Sequence, residues 1–150
     1  MKIETHVLGD GCSAMMLASR ADELEQHEFT LIKPNNAPQP KDHMLGFWNT
    51  PGLKFAEKSA RASWSNWSII TAEGEFKMSS QRYAYHVMHK ESFLENCRIK
   101  AEMNDVKIIE QTDSFKTQPK MIFDSRPPKA GKNAMLQHFL GQEIEVDRAV

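Results

Sequence analysis

An α/β fold is predicted for this chain of 150 residues, entered through a βαβ unit over about residues 3–33 and continued by an inserted, partly antiparallel β region. Three observations predict it. A short apolar run, Ile3–Leu8, breaks at Gly9-Asp10-Gly11; Ala14, Leu17, Ala18, Ala21 and Leu24 then recur at helical spacing; a second apolar run, Phe29–Ile32, follows before Pro34. Strand, glycine turn, helix and strand within some thirty residues match the length of one βαβ unit.

The composition fits that class. With 40% hydrophobic and 26% charged residues, the chain has the apolar content of one domain core. The 19 Lys and Arg nearly balance the 20 Asp and Glu, which argues against a nucleic-acid partner, since such binders carry a basic excess. No run approaches the ~18 apolar residues of a spanning helix, and Met1–His6 lacks the apolar core of a secretory signal. Two cysteines, Cys12 and Cys97, are too few for a disulfide framework and suit a reducing, cytoplasmic setting.

Taken in order, the first strand spans Ile3–Leu8 and the helix runs from about Ser13 to Glu25, with Asp10 and Ser13 as capping groups near its start. Phe29–Ile32 reads as a buried strand. From Lys33 to Asp42 the chain carries Pro34, Pro38 and Pro40 and reads as a surface loop. Leu45-Gly46-Phe47-Trp48 follows. Trp64–Ile70 reads as a strand that turns at Glu73-Gly74 and returns antiparallel through Phe76 and Met78. Tyr83, Tyr85 and Val87 alternate with polar or small residues, as in a half-buried strand. Phe93, Leu94, Cys97 and Ala101 share one face of a helix over Lys90–Ala101, and Val106–Ile109 and Lys120–Phe123 read as further strands. Gln142–Val146 alternates polar and apolar residues like a strand of an unfinished sheet.

The motif that carries chemistry is Gly9-Asp10-Gly11-Cys12-Ser13-Ala14, a match to G-x-G-x-x-A. The first glycine permits a tight turn, the second lets backbone N–H groups approach a diphosphate, and the small third residue allows helix and strand to pack closely. The negative phosphates then face the positive end of a helix. The pattern alone is short, and an ordinary glycine turn is the competing reading. An acidic residue usually ends the second strand and accepts a hydrogen bond from the ribose; here that place falls to Lys33, which has only donors. Either the nucleotide carries an extra phosphate there, or adenosine binding is weakened, or the register differs.

Other residues carry weaker signals. Cys12 and Ser13 sit where a helix dipole lowers a thiol pKa, but no His–Asp partner is assignable and a packing role is the expectation. His86 and His89 lack the accompanying ligands of a metal site and read as surface histidines; no metal is expected. Trp48, Trp64 and Trp67 read either as core or as the lining of an apolar groove.

Taken together, these segments resemble the lycopene cyclase family, and the resemblance is to the N-terminal part of a family member. Val7–Ala14 is similar to the family's nucleotide-binding start, and Asp42-His43-Met44-Leu45-Gly46-Phe47-Trp48 to its histidine and aromatic stretch. Ser80-Gln81-Arg82-Tyr83 with Phe93 resembles the segment that follows. Most specific are Ile122-Phe123-Asp124-Ser125-Arg126-Pro127-Pro128 and Leu136-Gln137-His138-Phe139-Leu140-Gly141.

The resemblance implies an FAD/NAD(P)-binding, Rossmann-like fold, incomplete over residues 1–150. It implies reduced FAD as cofactor with NAD(P)H as reductant, and lycopene as substrate, cyclised without net redox change. Peripheral contact with a membrane is implied in the same way. Gly9, Gly11, Cys12, Ser13, Ala14, Lys33, Asp124 and Arg126 are the implied cofactor-binding set, with Arg126 meeting a phosphate and Asp124 the ribose or a phosphate-linked water. The family's catalytic acidic motif has no counterpart in this chain, nor does its second flavin-binding segment, and Gln142 stands where the family pattern has tryptophan. The expectation is therefore a part that needs a further C-terminal half, or a degenerate relative inactive by itself.

Overall fold

The computed structural model describes residues 1–35, 43–111, 118–127 and 131. The opening apolar run is strand β1 (Ile3–Leu8), and helix α1 (Cys12–Ser19) starts directly after the glycine turn. α1 is shorter than the apolar spacing predicts. The Ser19 hydroxyl donates back to the Met16 carbonyl at 2.8 Å, and Arg20 leaves helical geometry to clasp Glu23, so a separate 3₁₀ turn (Ala21–Glu23) carries Ala21. Strand β2 (His27–Lys33) extends beyond the predicted run at both ends and takes Lys33 as its last residue.

The inserted region holds β3 (Met44–Trp48), a short helix α2 (Lys54–Glu57), β4 (Ala62–Trp64), β5 (Asn66–Thr71), β6 (Gly74–Ser79) and β7 (Tyr85–His89). Helix α3 (Lys90–Met103), β8 (Lys107–Glu110) and β9 (Met121–Asp124) return the chain to the first sheet. α3 ends in a Schellman arrangement. Asp105 has φ +58°, the Asp105 N–H reaches the Glu102 carbonyl and the Val106 N–H the Ala101 carbonyl, and buried Val106 closes the turn.

The principal sheet is wholly parallel, in the order β8-β2-β1-β9. β1 therefore lies between β2 and β9, with Leu8 beside both Ile32 and Asp124. The chain moves outward from β1 to β2 to β8, then jumps back across to β9. This reversal of direction is a topological switch point, and in sheets of this kind ligands bind outside the strands' C-terminal ends at such a point.

Helices α1 and α3 cover one face of this sheet. Ala14 and Ala18 of α1 meet a surface that includes Cys97 and Ala101 of α3, and these small side chains let the two helices approach. Thr5, Val7, Phe29 and Leu31 point up into the same layer, as the period of two in a strand requires. Phe93 is its largest fully buried side chain. Burying a ring of that size stabilises the fold by about 1.5–3 kcal/mol.

Two smaller sheets complete the insertion: β3-β7-β4 and the antiparallel hairpin β5-β6. The predicted strand Trp64–Ile70 is divided, because the chain bends at Ser65 and Trp64 joins a different sheet from Trp67. In β7 the buried residues are His86 and Met88, the set between Tyr85 and Val87, which are half-buried. His86 is thus no surface histidine. It stacks on Phe47 at 5.1 Å, and its Nδ1 lies 2.6 Å from the Ser63 hydroxyl. The predicted strand Gln142–Val146, the segment Leu136–Gly141 and most of the proline-rich stretch lie outside the described residues.

Candidate nucleotide-binding site

The glycine turn sits at the switch point. Gly9 has φ +116°, a conformation that side chains disfavour, and its N–H donates to the Ile32 carbonyl at 2.9 Å. A β-carbon on Gly9 would lie 2.5 Å from the Ser125 hydroxyl, which itself donates to the Leu8 carbonyl at 2.9 Å. The first glycine is therefore fixed by two separate constraints, one in the backbone and one across the strand ends.

Gly11 is the opposite case. It caps α1 with φ −74°, which any residue adopts, and no neighbouring atom lies within 4 Å of where a β-carbon would stand. What glycine secures there is open space over the helix end. No side chain caps the helix, so neither Asp10 nor Ser13 plays the predicted capping role. The N–H groups of Cys12, Ser13 and Ala14 belong to the first turn and have no carbonyl four residues back inside the helix. Ala14 is buried in the core and keeps α1 close to the sheet. First-turn donors with no side-chain cap, a helix dipole and open space at Gly11 together fit a diphosphate.

On one side of the turn lies the end of β9. Asp124 and Arg126 grip each other there: Arg126 Nε donates to Oδ1 at 2.8 Å, Nη2 to Oδ2 at 2.7 Å, and the Arg126 backbone N–H to Oδ1 at 3.1 Å. This ion pair lowers the Asp124 carboxyl to about 2, and the carboxylate in turn raises the guanidinium. Both are partly exposed, so the pair orders the strand end more than it stabilises the fold. On the other side, Lys33 ends β2 in register with Glu110 of β8. The parallel register Leu8 to Ile32 places Lys33 one residue beyond β2's contact with Gly9, where the acidic residue of the nucleotide-binding pattern falls. Lys33 is thus the last residue of β2.

Cys12 begins α1 and packs partly against the core. Cys97 is fully buried, and burial pushes its thiol up to about 11, which leaves it a packing residue. Among the described residues no group of three or more His, Cys, Asp or Glu side chains is placed to hold a metal ion. None of their helices is long and apolar enough to cross a membrane.

Sequence reading singled out Trp48, Trp64 and Trp67 but missed how Trp48 packs. Trp48 packs on Tyr85 at 4.8 Å and on Trp67 at 4.7 Å, and a β-carbon at Gly46 would run into the Tyr85 hydroxyl. Trp48 and Trp64 remain 44% exposed, so they are not core. The spacing of Gly46 and Tyr85 along separate strands held no signal for this contact.

No family model and no curated protein matches the chain. Solved structures do. The chain is similar to a mutant of MHPCO, the 2-methyl-3-hydroxypyridine-5-carboxylic acid oxygenase, at 12% identity with a TM-score of 0.54, over 73% of this chain and 32% of that one. It is similar to the peptidyl tryptophan dihydroxylase QhpG at 12% identity with a TM-score of 0.56, over 92% of this chain and 34% of that one. It is similar also to CtdE in complex with FAD and a substrate, at 10% identity with a TM-score of 0.52, over 73% and 30%. The chain spans about a third of the length of these structures. At such identities the likeness is one of fold: the chain shares the α/β fold of a part of each of these structures.

Proposed function

We propose that this chain is the N-terminal, nucleotide-binding part of a flavin-dependent enzyme. In this reading the Gly9–Ala14 turn holds the diphosphate of an adenine dinucleotide, FAD being the one its fold supports. The observation that carries the reading is the contrast within the turn: Gly9 is closed in by Ser125, while Gly11 leaves the uncapped end of α1 open. When bound, the flavin supplies the electron chemistry. The chain's own work is to bind and orient. The N–H groups of Cys12, Ser13 and Ala14 donate to phosphate oxygens, and Arg126, steadied by Asp124, lends positive charge at the β9 side.

The finer reading we propose is a lycopene-cyclase-like enzyme of carotenoid synthesis. It is supported by the two sequence motifs Ile122–Pro128 and Leu136–Gly141. Under it, lycopene is the substrate, NAD(P)H keeps the flavin reduced, and the proton donor comes from a C-terminal half, since no residue here is assigned that role. A second reading, an oxygenase, is favoured by the likeness in fold to the oxygenase MHPCO and the dihydroxylase QhpG. A third, a nucleotide-binding module without catalysis, is favoured by Lys33.

Titration of the full chain with FAD, followed by quenching of flavin fluorescence, tests the shared premise. Gly11→Val is expected to weaken binding at least about tenfold with an unchanged circular-dichroism spectrum, because the new side chain occupies the phosphate approach and not the core. Equal binding by both proteins would remove the turn from the site. In cells that accumulate lycopene, the chain alone is expected to leave the pigment uncyclised, and a cyclic carotene made by it alone would refute the need for a second half.

A further inference from the structure

The principal sheet has two edge strands, β8 and β9, and they are finished differently. On β8, Lys107 is held by Glu28 at 2.9 Å and Ile108 packs against the core, which leaves Ile109 as its one exposed apolar residue. Charge and burial of this kind blunt an edge. β9 has neither. Met121, Ile122 and Phe123 are all exposed, Ile122 at 58%, and among the described residues no strand pairs with the side of β9 turned away from β1. The Ser125 N–H donates to the Leu8 carbonyl, so alternation along the strand turns the N–H and C=O of Ile122 to that free side.

The sequence of this edge is its own complement. Antiparallel pairing with a second β9, centred on Ile122, sets Ile122 opposite Ile122, Met121 opposite Phe123 and Lys120 opposite Asp124. Apolar residues then meet apolar ones, and each ammonium meets a carboxylate. Asp124 is already engaged by Arg126, but a carboxylate has room for a further donor. A register shifted by one residue puts Lys120 opposite Phe123 and loses the match. We infer that β9 is the interface with a second copy of this chain, the two joined edge to edge about a two-fold axis into one continuous sheet. The inference is independent of the nucleotide reading.

Sedimentation velocity of the full chain over a range of concentrations tests it, with a reversible monomer–dimer equilibrium as the expected result. Ile122→Lys is expected to raise the dimer dissociation constant at least about tenfold, with an unchanged circular-dichroism spectrum, because two ammonium groups then face each other. Ile109→Lys on the β8 edge should leave the constant as it is. Lys120→Glu should weaken the dimer by opposing two carboxylates, and Lys120→Arg should preserve it. Oxidation of the Ile122→Cys variant should link two chains, since hydrogen-bonded antiparallel neighbours stand about 5.5 Å apart; Ile109→Cys should not. A chain that stays monomeric at every concentration would overturn the inference, as would a dimer indifferent to Ile122→Lys or to Lys120→Glu. A monomer that Ile122→Lys destabilises would overturn it too, by giving the edge to another part of the same polypeptide.

Discussion

The parallel sheet and the β5-β6 hairpin are built from equally apolar strands and end in opposite states. Thr5, Val7, Phe29 and Leu31 face α1 and α3 and are all buried. Trp67 with Met78 and Ile69 with Phe76 form an equally apolar face on the hairpin, yet Ile69 and Phe76 remain 50% and 51% exposed. The difference lies in what arrives above each face. Two helices cross over the first; over the second, Trp48 of β3 packs on Trp67, while Ile69 and Phe76 stay half open to solvent. Alternation in a strand marks a face suited to burial, and tertiary arrangement decides whether it is buried.

The largest effect that bears on this contrast is a paired truncation. Phe93→Ala is expected to destabilise the chain by about 3–5 kcal/mol, because it empties the layer between α3 and the sheet. Phe76→Ala should change stability by no more than about 0.5 kcal/mol. Urea denaturation of both variants measures this, and a comparable loss at Phe76 would mean that the hairpin face is covered in solution.

A middle-sized effect separates the two glycines of the turn. Gly9→Ala should cost about 1–3 kcal/mol, because the substituted residue keeps a left-handed φ and meets the Ser125 hydroxyl. Thermal unfolding of Gly9→Ala, alone and combined with Ser125→Ala, should show part of the loss recovered in the double variant. Full stability of Gly9→Ala would mean that the strand ends of β1 and β9 are not held together as described.

The smallest effect concerns the pair at the end of β9. Asp124 has a lower pKa in the folded chain than the unfolded value of about 3.9, so its contribution is complete above that value. It fades as pH falls through about 2. Carboxyl-carbon NMR should find the Asp124 midpoint near 2, and Arg126→Ala should return it to the ordinary carboxylate range. An ordinary midpoint in the unaltered chain would show Arg126 released from Asp124 and free for another anion.

Much of the fold was legible in the sequence, for reasons that differ by element. β1 and β2 were readable because each is a short, apolar-leaning run cut off by glycine or proline. α3 was readable because Phe93, Cys97 and Ala101 repeat at a helical period along 14 residues. α1 was overextended because Ala21 and Leu24 continue the apolar spacing past the point where the Ser19 hydroxyl and the Arg20–Glu23 pair end the helix. In β7 the aromatic residues suggested the wrong face. His86 is buried through Ser63 and Phe47, partners that lie on two other strands.

The candidate site divides in the same way. The glycines and Lys33 could be found from spacing, since all belong to one local βαβ unit. That Asp124 and Arg126 hold each other, and that Ser125 is what keeps a side chain off Gly9, could not. Those contacts cross more than a hundred residues or depend on rotamers that the sequence does not display.

The sequence by itself determined the strand–turn–helix–strand order, the bare backbone at Gly9 and Gly11, and the cation at position 33, because each follows from local sterics or from the chemistry of one side chain. Tertiary structure decided the strand order that sets β9 against β1, which faces are covered, and which of two cations is already spent on a carboxylate. Those outcomes depend on contacts between segments far apart in the chain, and no local pattern specifies which distant partner a face or a charge will meet.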